Sequence, residues 1–208
     1  MTDAKAALAA LAVSRETMAR LELYGGLLEK WQKAVNLVAA STLPELWQRH
    51  MLDSAQLWPL LPPGTRRLVD LGSGAGFPGL VLAILGVPEV HLVESDQKKA
   101  AFLREAARLT AAPATIHNQR IEAVAPFAVE AVTARALAPL PRLLALAAPF
   151  LAQGAIGLFL KGESAAEELT EARRQWTMTV TAEPSRTSPQ GVILRVESLR
   201  YGRDSELA

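Results

Sequence analysis

Val69-Asp70-Leu71-Gly72-Ser73-Gly74-Ala75-Gly76-Phe77-Pro78-Gly79 joins a short apolar run, residues 67–71, to a second one, Leu80-Val81-Leu82-Ala83-Ile84-Leu85. The first run has the length and β-branched content of a buried strand, and the second that of a helix. Four glycines within eight residues let the backbone turn sharply and come close to a ligand. In an open α/β sheet a loop of this kind stands beyond the carboxyl end of its strand, where ligands bind.

The pattern continues outward from that junction. Residues 90–93, 114–117, 131–133 and 156–160 read as further short buried strands. Helical stretches at 96–109 and 139–151 lie between them, and another runs from 164 to about 176. Strands alternating with helices predict a parallel, doubly wound sheet. Candidate strands at 178–181 and 192–196 are joined by a segment holding Pro184 and Pro189. It is too short for a crossover helix, so these two strands are expected to pair as a hairpin. The charge-free segment 143–160 approaches membrane-spanning length, but Pro149, Gln153, Gly154 and Gly157 interrupt it. It is read as a buried helix turning at Gln153-Gly154 into a buried strand.

Before Leu61-Pro62-Pro63-Gly64 the period is helical. Ser14 suits the cap of a helix that Gly25-Gly26 would kink. Thr42 and Glu45 have the spacing of a capping box, with Pro44 in the first turn of a helix predicted over 44–58. The break at Leu61-Pro62-Pro63-Gly64 divides the chain into an amino-terminal helical cap, residues 1–61, and a sheet domain, residues 62–208.

Composition narrows the function. The chain has 208 residues, half of them apolar, and a net charge of +1 from 22 basic and 21 acidic side chains. That balance excludes binding of nucleic acid by bulk charge. The charges are nonetheless uneven: residues 65–161 carry an excess of three positive charges and residues 162–208 an excess of two negative ones. An anion-binding face is therefore expected on the sheet domain or at its junction with the cap. With no cysteine, disulfides, thiolate metal sites and Cys nucleophiles are excluded. His50, His91 and His117 lack ligand spacing, and no metal site is expected. Residues 1–12 lack the pattern of a secretory signal, so the protein is expected in the cytoplasm, with no membrane association.

Three readings of the glycine loop compete. Gly74, Gly76 and Gly79 satisfy G-x-G-x-x-G, and Glu94 at the next strand end stands where a dinucleotide fold keeps its ribose-binding acid. This would suit a nicotinamide-dependent oxidoreductase. S-adenosylmethionine also presents a ribose diol but no pyrophosphate. The glycine string starting at Gly72, directly behind Asp70-Leu71, and the carboxy-terminal hairpin suit that cofactor better. A packing turn with no ligand is the third reading. Asp70 would either hold the loop or approach the methionine amino group. Ile121 and Glu122, after the third strand, would either face an adenine or merely start a helix.

Lys33-Ala34-Val35-Asn36-Leu37, Arg49-His50-Met51-Leu52-Asp53-Ser54, the glycine loop, Arg135-Ala136 and Leu160-Lys161-Gly162 occur in this order. The series resembles the RsmG (GidB) family of bacterial methyltransferases that modify N7 of a guanine in small-subunit (16S) ribosomal RNA. The resemblance covers about residues 15–162. It implies a Rossmann-like class I methyltransferase with a mostly parallel seven-stranded sheet and an amino-terminal cap, using S-adenosyl-L-methionine. It places the cofactor against Gly72, Gly74, Gly76, Phe77, Ile121, Glu122 and Arg135, to which the residue-level reading adds Asp70 and Glu94. Arg135 and Lys161 are the candidate catalytic residues, and Asn36, His50, Asp53 and Lys161 the candidate substrate contacts. His50 and Asp53, three apart on one helix face, could bond each other. Expected partners are small-subunit ribosomal RNA or a ribosomal particle, with the protein acting as a monomer. A non-catalytic RNA-binding assembly factor is a further alternative. Ser188-Pro189-Gln190-Gly191 departs from the family's usual charged pair before the last strand, which leaves the hairpin's contacts open.

Overall fold

The computed structural model describes residues 3–11 and 13–202. Of the segment read for a secretory signal, Met1, Thr2 and Ala12 lie outside the described residues, as do residues 203–208 of the acidic carboxy-terminal segment. The strands are β1 (Arg67–Leu71), β2 (Glu89–Val93), β3 (Ala114–His117), β4 (Ala131–Arg135), β5 (Ile156–Lys161), β6 (Trp176–Pro184) and β7 (Val192–Tyr201). They form one sheet in the order β3-β2-β1-β4-β5-β7-β6. β1 to β5 are mutually parallel, and β7 runs antiparallel to both β5 and β6, so the predicted hairpin forms. The helices are α1 (Asp3–Ala10), α2 (Arg15–Gln32), α3 (Asp53–Ala55), α4 (Gly79–Leu85), α5 (Gln97–Leu109), α6 (Leu140–Leu151) and α7 (Ala165–Ala172).

Successive strand residues point to opposite faces. Leu68 and Leu92 join one apolar cluster with Leu80, Phe102 and, from the amino-terminal segment, Leu21, Tyr24, Leu28 and Met51. Val69, Leu71 and Val93 join a second cluster with Leu143, Leu144, Phe150 and Trp176. The segment 143–160 is divided as predicted, into the end of α6 and then β5. Among the described residues no helix is long and apolar enough to cross a membrane.

Two helical expectations change. α2 is capped by Ser14, whose hydroxyl accepts from Thr17 N, and it continues through Gly25-Gly26 to Gln32 without a break. A methyl at Gly25 would lie 3.6 Å from Leu46 and from Met51, an ordinary van der Waals contact, so side chains of the cap pack over the helix at this point. The helix expected over 44–58 is instead a 3₁₀ turn (Ala40–Glu45), a π-helical turn (Trp47–Leu52), the short α3 and a second 3₁₀ turn (Trp58–Leu60). Pro44 lies inside the first of these, and Thr42 forms no capping box. Its hydroxyl is used by Ala39 O and His50. The π turn buries His50, Met51 and Leu52 together. Such a turn widens the helix locally and recurs at functional sites.

Candidate active site

The chain leaves β1 toward β2 and β3, then returns to form β4 on the other side of β1. The sheet order therefore reverses between β1 and β4, the place where open α/β sheets bind ligands. A cavity of about 1010 Å³ opens there. Its walls come from the loop after β1, the end of β2, the turn after β3, the β4–α6 loop, the cap around His50 and the β6–β7 loop. This volume is at or above the roughly 300–1,000 Å³ of small-molecule pockets, enough for a nucleoside cofactor and part of a second molecule.

Gly72, Gly74 and Gly76 take φ values of +67°, +56° and +99°, which side-chain-bearing residues rarely adopt. Gly72 and Gly74 line the cavity. Gly76 does not: a Cβ there would lie 2.9 Å from both Leu80 Cβ and the Tyr24 hydroxyl. Tyr24 donates to Ala75 O and so fastens the loop to α2. Beneath the loop lies Asp70, fully buried and absent from the cavity wall. Thr133 donates to its Oδ1 at 2.7 Å, while Oδ2 is buried without a hydrogen-bond partner. Burial pushes the Asp70 carboxyl from 3.8 up to about 6, opposed by the Thr133 and Ser73 hydroxyls, the Gly79 amide and the Arg135 charge. Gly79 is closed over it: a Cβ there would lie 2.6 Å from Asp70 Cβ and 2.5 Å from Leu92 Cδ2.

The hydrogen bonds at the start of α4 weigh against a dinucleotide. A pyrophosphate would need free amides there, but Leu80 N–H is bonded to Gly76 O at 2.9 Å and Leu82 N–H to Pro78 O at 3.1 Å, and neither residue lines the cavity. A nucleoside without pyrophosphate has no such requirement. Glu94, at the end of β2, lies on the cavity wall and accepts Gly74 N–H at 2.8 Å and Asp96 N–H at 2.7 Å. One amide goes to each oxygen, so each keeps a further acceptor site for a ribose hydroxyl. Ile121 and Glu122 form a 3₁₀ turn on the same wall.

Arg135 ends β4, and the next residue, Ala136, takes φ +51°, so the chain bends sharply as it enters the wall. Its guanidinium donates to Arg49 O at 2.8 Å, to Asp53 Oδ2 at 3.2 Å and to His50 Nδ1 at 2.8 Å, and it lies 5.1 Å above the Phe77 ring. The His50 ring stacks on Phe77 at 5.0 Å. His50 and Asp53 are thus joined through Arg135 rather than by the direct bond their spacing allowed. Because a guanidinium only donates, Nδ1 of His50 accepts and Nε2 carries the proton. That proton goes to Thr42 Oγ1 at 2.8 Å, and the Thr42 hydroxyl donates to Ala39 O at 2.8 Å. Burial, with the Arg135 and Arg49 charges, lowers the His50 pKa from 6.5 to about 4, so the ring is neutral at pH 7.

Two more expected residues, besides Asp70 and Gly76, lie off the cavity wall. Asn36 is exposed beside Gln32, which holds the backbone of Leu37 and Val38, and these two do line the cavity. Lys161 is bonded to Glu168 at 2.5 Å and to Ala138 O at 3.0 Å, and Glu168 also accepts Leu140 N–H at 2.7 Å. The pair clamps the β4–α6 loop, which itself lines the cavity. Sequence reasoning missed Gln56 and Thr187, because the bonds that tie the cap to the β6–β7 loop, Gln56 to Arg186 and Thr187 to Asp53, join residues more than a hundred apart. It also missed the pairing of His91 Nδ1 with His117 Nε2 at 2.9 Å across β2 and β3.

The rRNA small subunit methyltransferase G family model matches residues 17–190. The chain is 64% identical over 191 residues to the Ribosomal RNA small subunit methyltransferase G of Rhodospirillum centenum, covering 92% of this chain and 88% of that one. To the protein of that name in Paramagnetospirillum magneticum it is 59% identical over 191 residues, covering 92% and 93%. Among solved structures, the ribosomal protein L11 methylase of Lactobacillus delbrueckii subsp. bulgaricus matches with a TM-score of 0.58 at 13% identity, covering 72% of this chain and 78% of that one. Cofactor-bound Rv0187 from MTB matches with a TM-score of 0.57 at 13% identity, covering 86% and 89%. At such low identity these two likenesses bear on the fold alone. The family match spans most of the sheet and all the motifs that line the cavity, and the chain belongs to the rRNA small subunit methyltransferase G family.

Proposed function

We propose that this protein transfers a methyl group from S-adenosyl-L-methionine to N7 of a guanine in small-subunit (16S) ribosomal RNA. Family membership carries this reading. The site fits the cofactor: a cavity wall that includes no residue of α4, and so no helix-start amide for a pyrophosphate, and a strand-end carboxylate with acceptor capacity to spare. When bound, S-adenosylmethionine supplies an electrophilic methyl on a sulfonium. Glu94 would hold the ribose, Gly72 and Gly74 would let the backbone approach the ligand, and Ile121 and Glu122 would take the adenine. Phe77, on the cavity wall beneath Arg135, would meet the cofactor, while Asp70 and Gly76, off the wall, would serve by shaping the loop.

Guanine N7 keeps an in-plane lone pair at neutral pH, so no proton need be removed before transfer. The groups available agree with catalysis by positioning and electrostatics. His50 Nδ1 is engaged by Arg135, and the Asp53 carboxylate is paired with the same guanidinium, so neither is poised as a general base. Arg135 has five N–H donors and three are engaged within the protein. The two remaining would meet the O6/N7 edge of the base or the cofactor carboxylate. Lys161 would act by holding the β4–α6 loop, and Asn36 would lie at the outer edge of the RNA path.

Residues 1–61 are read as a cap over the sheet domain of residues 62–208, and the shared apolar cluster implies that the cap is firmly seated. Arg49, Arg120 and Arg142, exposed and on the cavity wall, would meet RNA phosphates. We read the protein as a cytoplasmic monomer. Among the described residues only Leu23, Leu109 and Tyr201 are large exposed hydrophobics, too scattered to form an obvious subunit interface. Incubation with labelled cofactor and unmethylated small-subunit RNA, naked or in particles, should yield 7-methylguanine. Its absence from both substrates would refute the reading.

A further inference from the structure

The β6–β7 loop is tied to the cap at its inner end. The Thr187 hydroxyl bonds Asp53 Oδ1, and because a carboxylate only accepts, Thr187 is the donor. Ser185 Oγ, 2.9 Å away, then donates to Thr187 Oγ1. Gln56, only 3% exposed, makes a second tie. Its Nε2 donates to Asp53 Oδ1 at 2.8 Å and its Oε1 accepts Arg186 N–H at 2.8 Å. Asp53 thus receives Thr187 and Gln56 on one oxygen and Arg135 on the other. Thr187, Ser188 and Pro189 all line the cavity.

We propose that Thr187 is a positioning residue for methyl transfer, holding Asp53 so that Arg135 presents its two remaining N–H groups to the bound molecules. This rests on the methyltransferase reading above. The Arg135–Asp53 contact is long for a charged pair, at 3.2 Å, so it is sensitive to the rotation of the carboxylate that Thr187 fixes. The arrangement also gives the divergent Ser188-Pro189-Gln190-Gly191 stretch a role. It turns the chain back after Thr187, with Gly191 N–H donating to Ser188 O at 3.1 Å and Ser185 N–H to Gly191 O at 3.0 Å.

The test compares Thr187→Val and Thr187→Ser, each alone and with Asp53→Asn. Losing one hydrogen bond to a charged group should lower kcat/KM for RNA methylation about tenfold in Thr187→Val, with the thermal midpoint little changed. Thr187→Ser, which keeps the hydroxyl, should restore the rate. In the Asp53→Asn background Thr187→Val should cost nothing further, because the chain of action runs through Asp53. A wild-type rate in Thr187→Val, or a full additional loss in the double variant, would overturn the inference. A second readout needs no RNA: the Arg135 Nε–H resonance should move in Thr187→Val and return in Thr187→Ser. If it does not move, the inference fails. A wild-type protein that methylates no RNA would refute the methyltransferase reading while leaving this resonance test intact.

Discussion

Asp70 makes protein stability depend on pH in a direction opposite to most carboxylates. Its carboxyl is raised from 3.8 to about 6 because burial disfavours the charged form more than Thr133, Ser73, Gly79 and Arg135 favour it. Between those two values the folded protein binds a proton that the unfolded chain has released. Stability from this group is therefore fully present below pH 3.8 and declines as pH rises through about 6. At 1.36 kcal/mol per unit the total is about 3 kcal/mol, of which about 2 kcal/mol falls between pH 4 and pH 7. Asp70→Asn abolishes the titration and keeps an oxygen to accept from Thr133. The measurement is urea unfolding of wild type and variant across that pH range, comparing the difference between them. The variant should gain on the wild type by about 2 kcal/mol from pH 4 to pH 7. Parallel profiles would refute the assignment of a raised pKa to Asp70 and, with it, the account of a carboxylate sealed beneath Gly79.

Three further outcomes are expected. Glu94→Ala should weaken S-adenosylhomocysteine binding about ten- to a hundredfold in calorimetric titration, the worth of hydrogen bonds to a charged acceptor; unchanged affinity would remove Glu94 from the cofactor site. His50 should show no titration by NMR between pH 5 and pH 8 and should carry its proton on Nε2, since its pKa lies near 4; a midpoint near 6.5 would contradict the buried bond to Arg135. Arg120→Ala and Arg142→Ala should each lower RNA affinity and reduce the slope of log affinity against log salt by about 0.7–0.9; a slope equal to the wild type's would place those side chains away from the phosphates.

Much of the fold was legible because burial and period determine it locally. The strands at 67–71 and 114–117 have the predicted limits, since an apolar run flanked by turn residues has few other places to go. β6 and β7 extend well beyond their predicted ends, to Trp176–Pro184 and Val192–Tyr201, because these two strands mix polar and apolar residues and periodicity fades. The helix expected over 44–58 failed for a different reason. Its residues have helical spacing, but seating His50 on Phe77 and placing Asp53 beneath Arg135 accompanies a wider turn that local propensity does not encode.

The amino-acid sequence by itself determined the class of the sheet, the glycine loop with its strand-end acid, and the family. Those rest on short-range patterns: glycines where φ must be positive, apolar runs of strand length, and motifs in a set order. Only the tertiary structure decided what each polar side chain does. It put Asp70 under the loop and off the cavity wall, committed Lys161 to Glu168, and brought together three distant parts of the chain, His50 with Asp53, Arg135, and Thr187. The physical reason is that a hydrogen bond requires placement within a few tenths of an ångström, and that accuracy arises from packing the whole chain rather than from the spacing of residues along it.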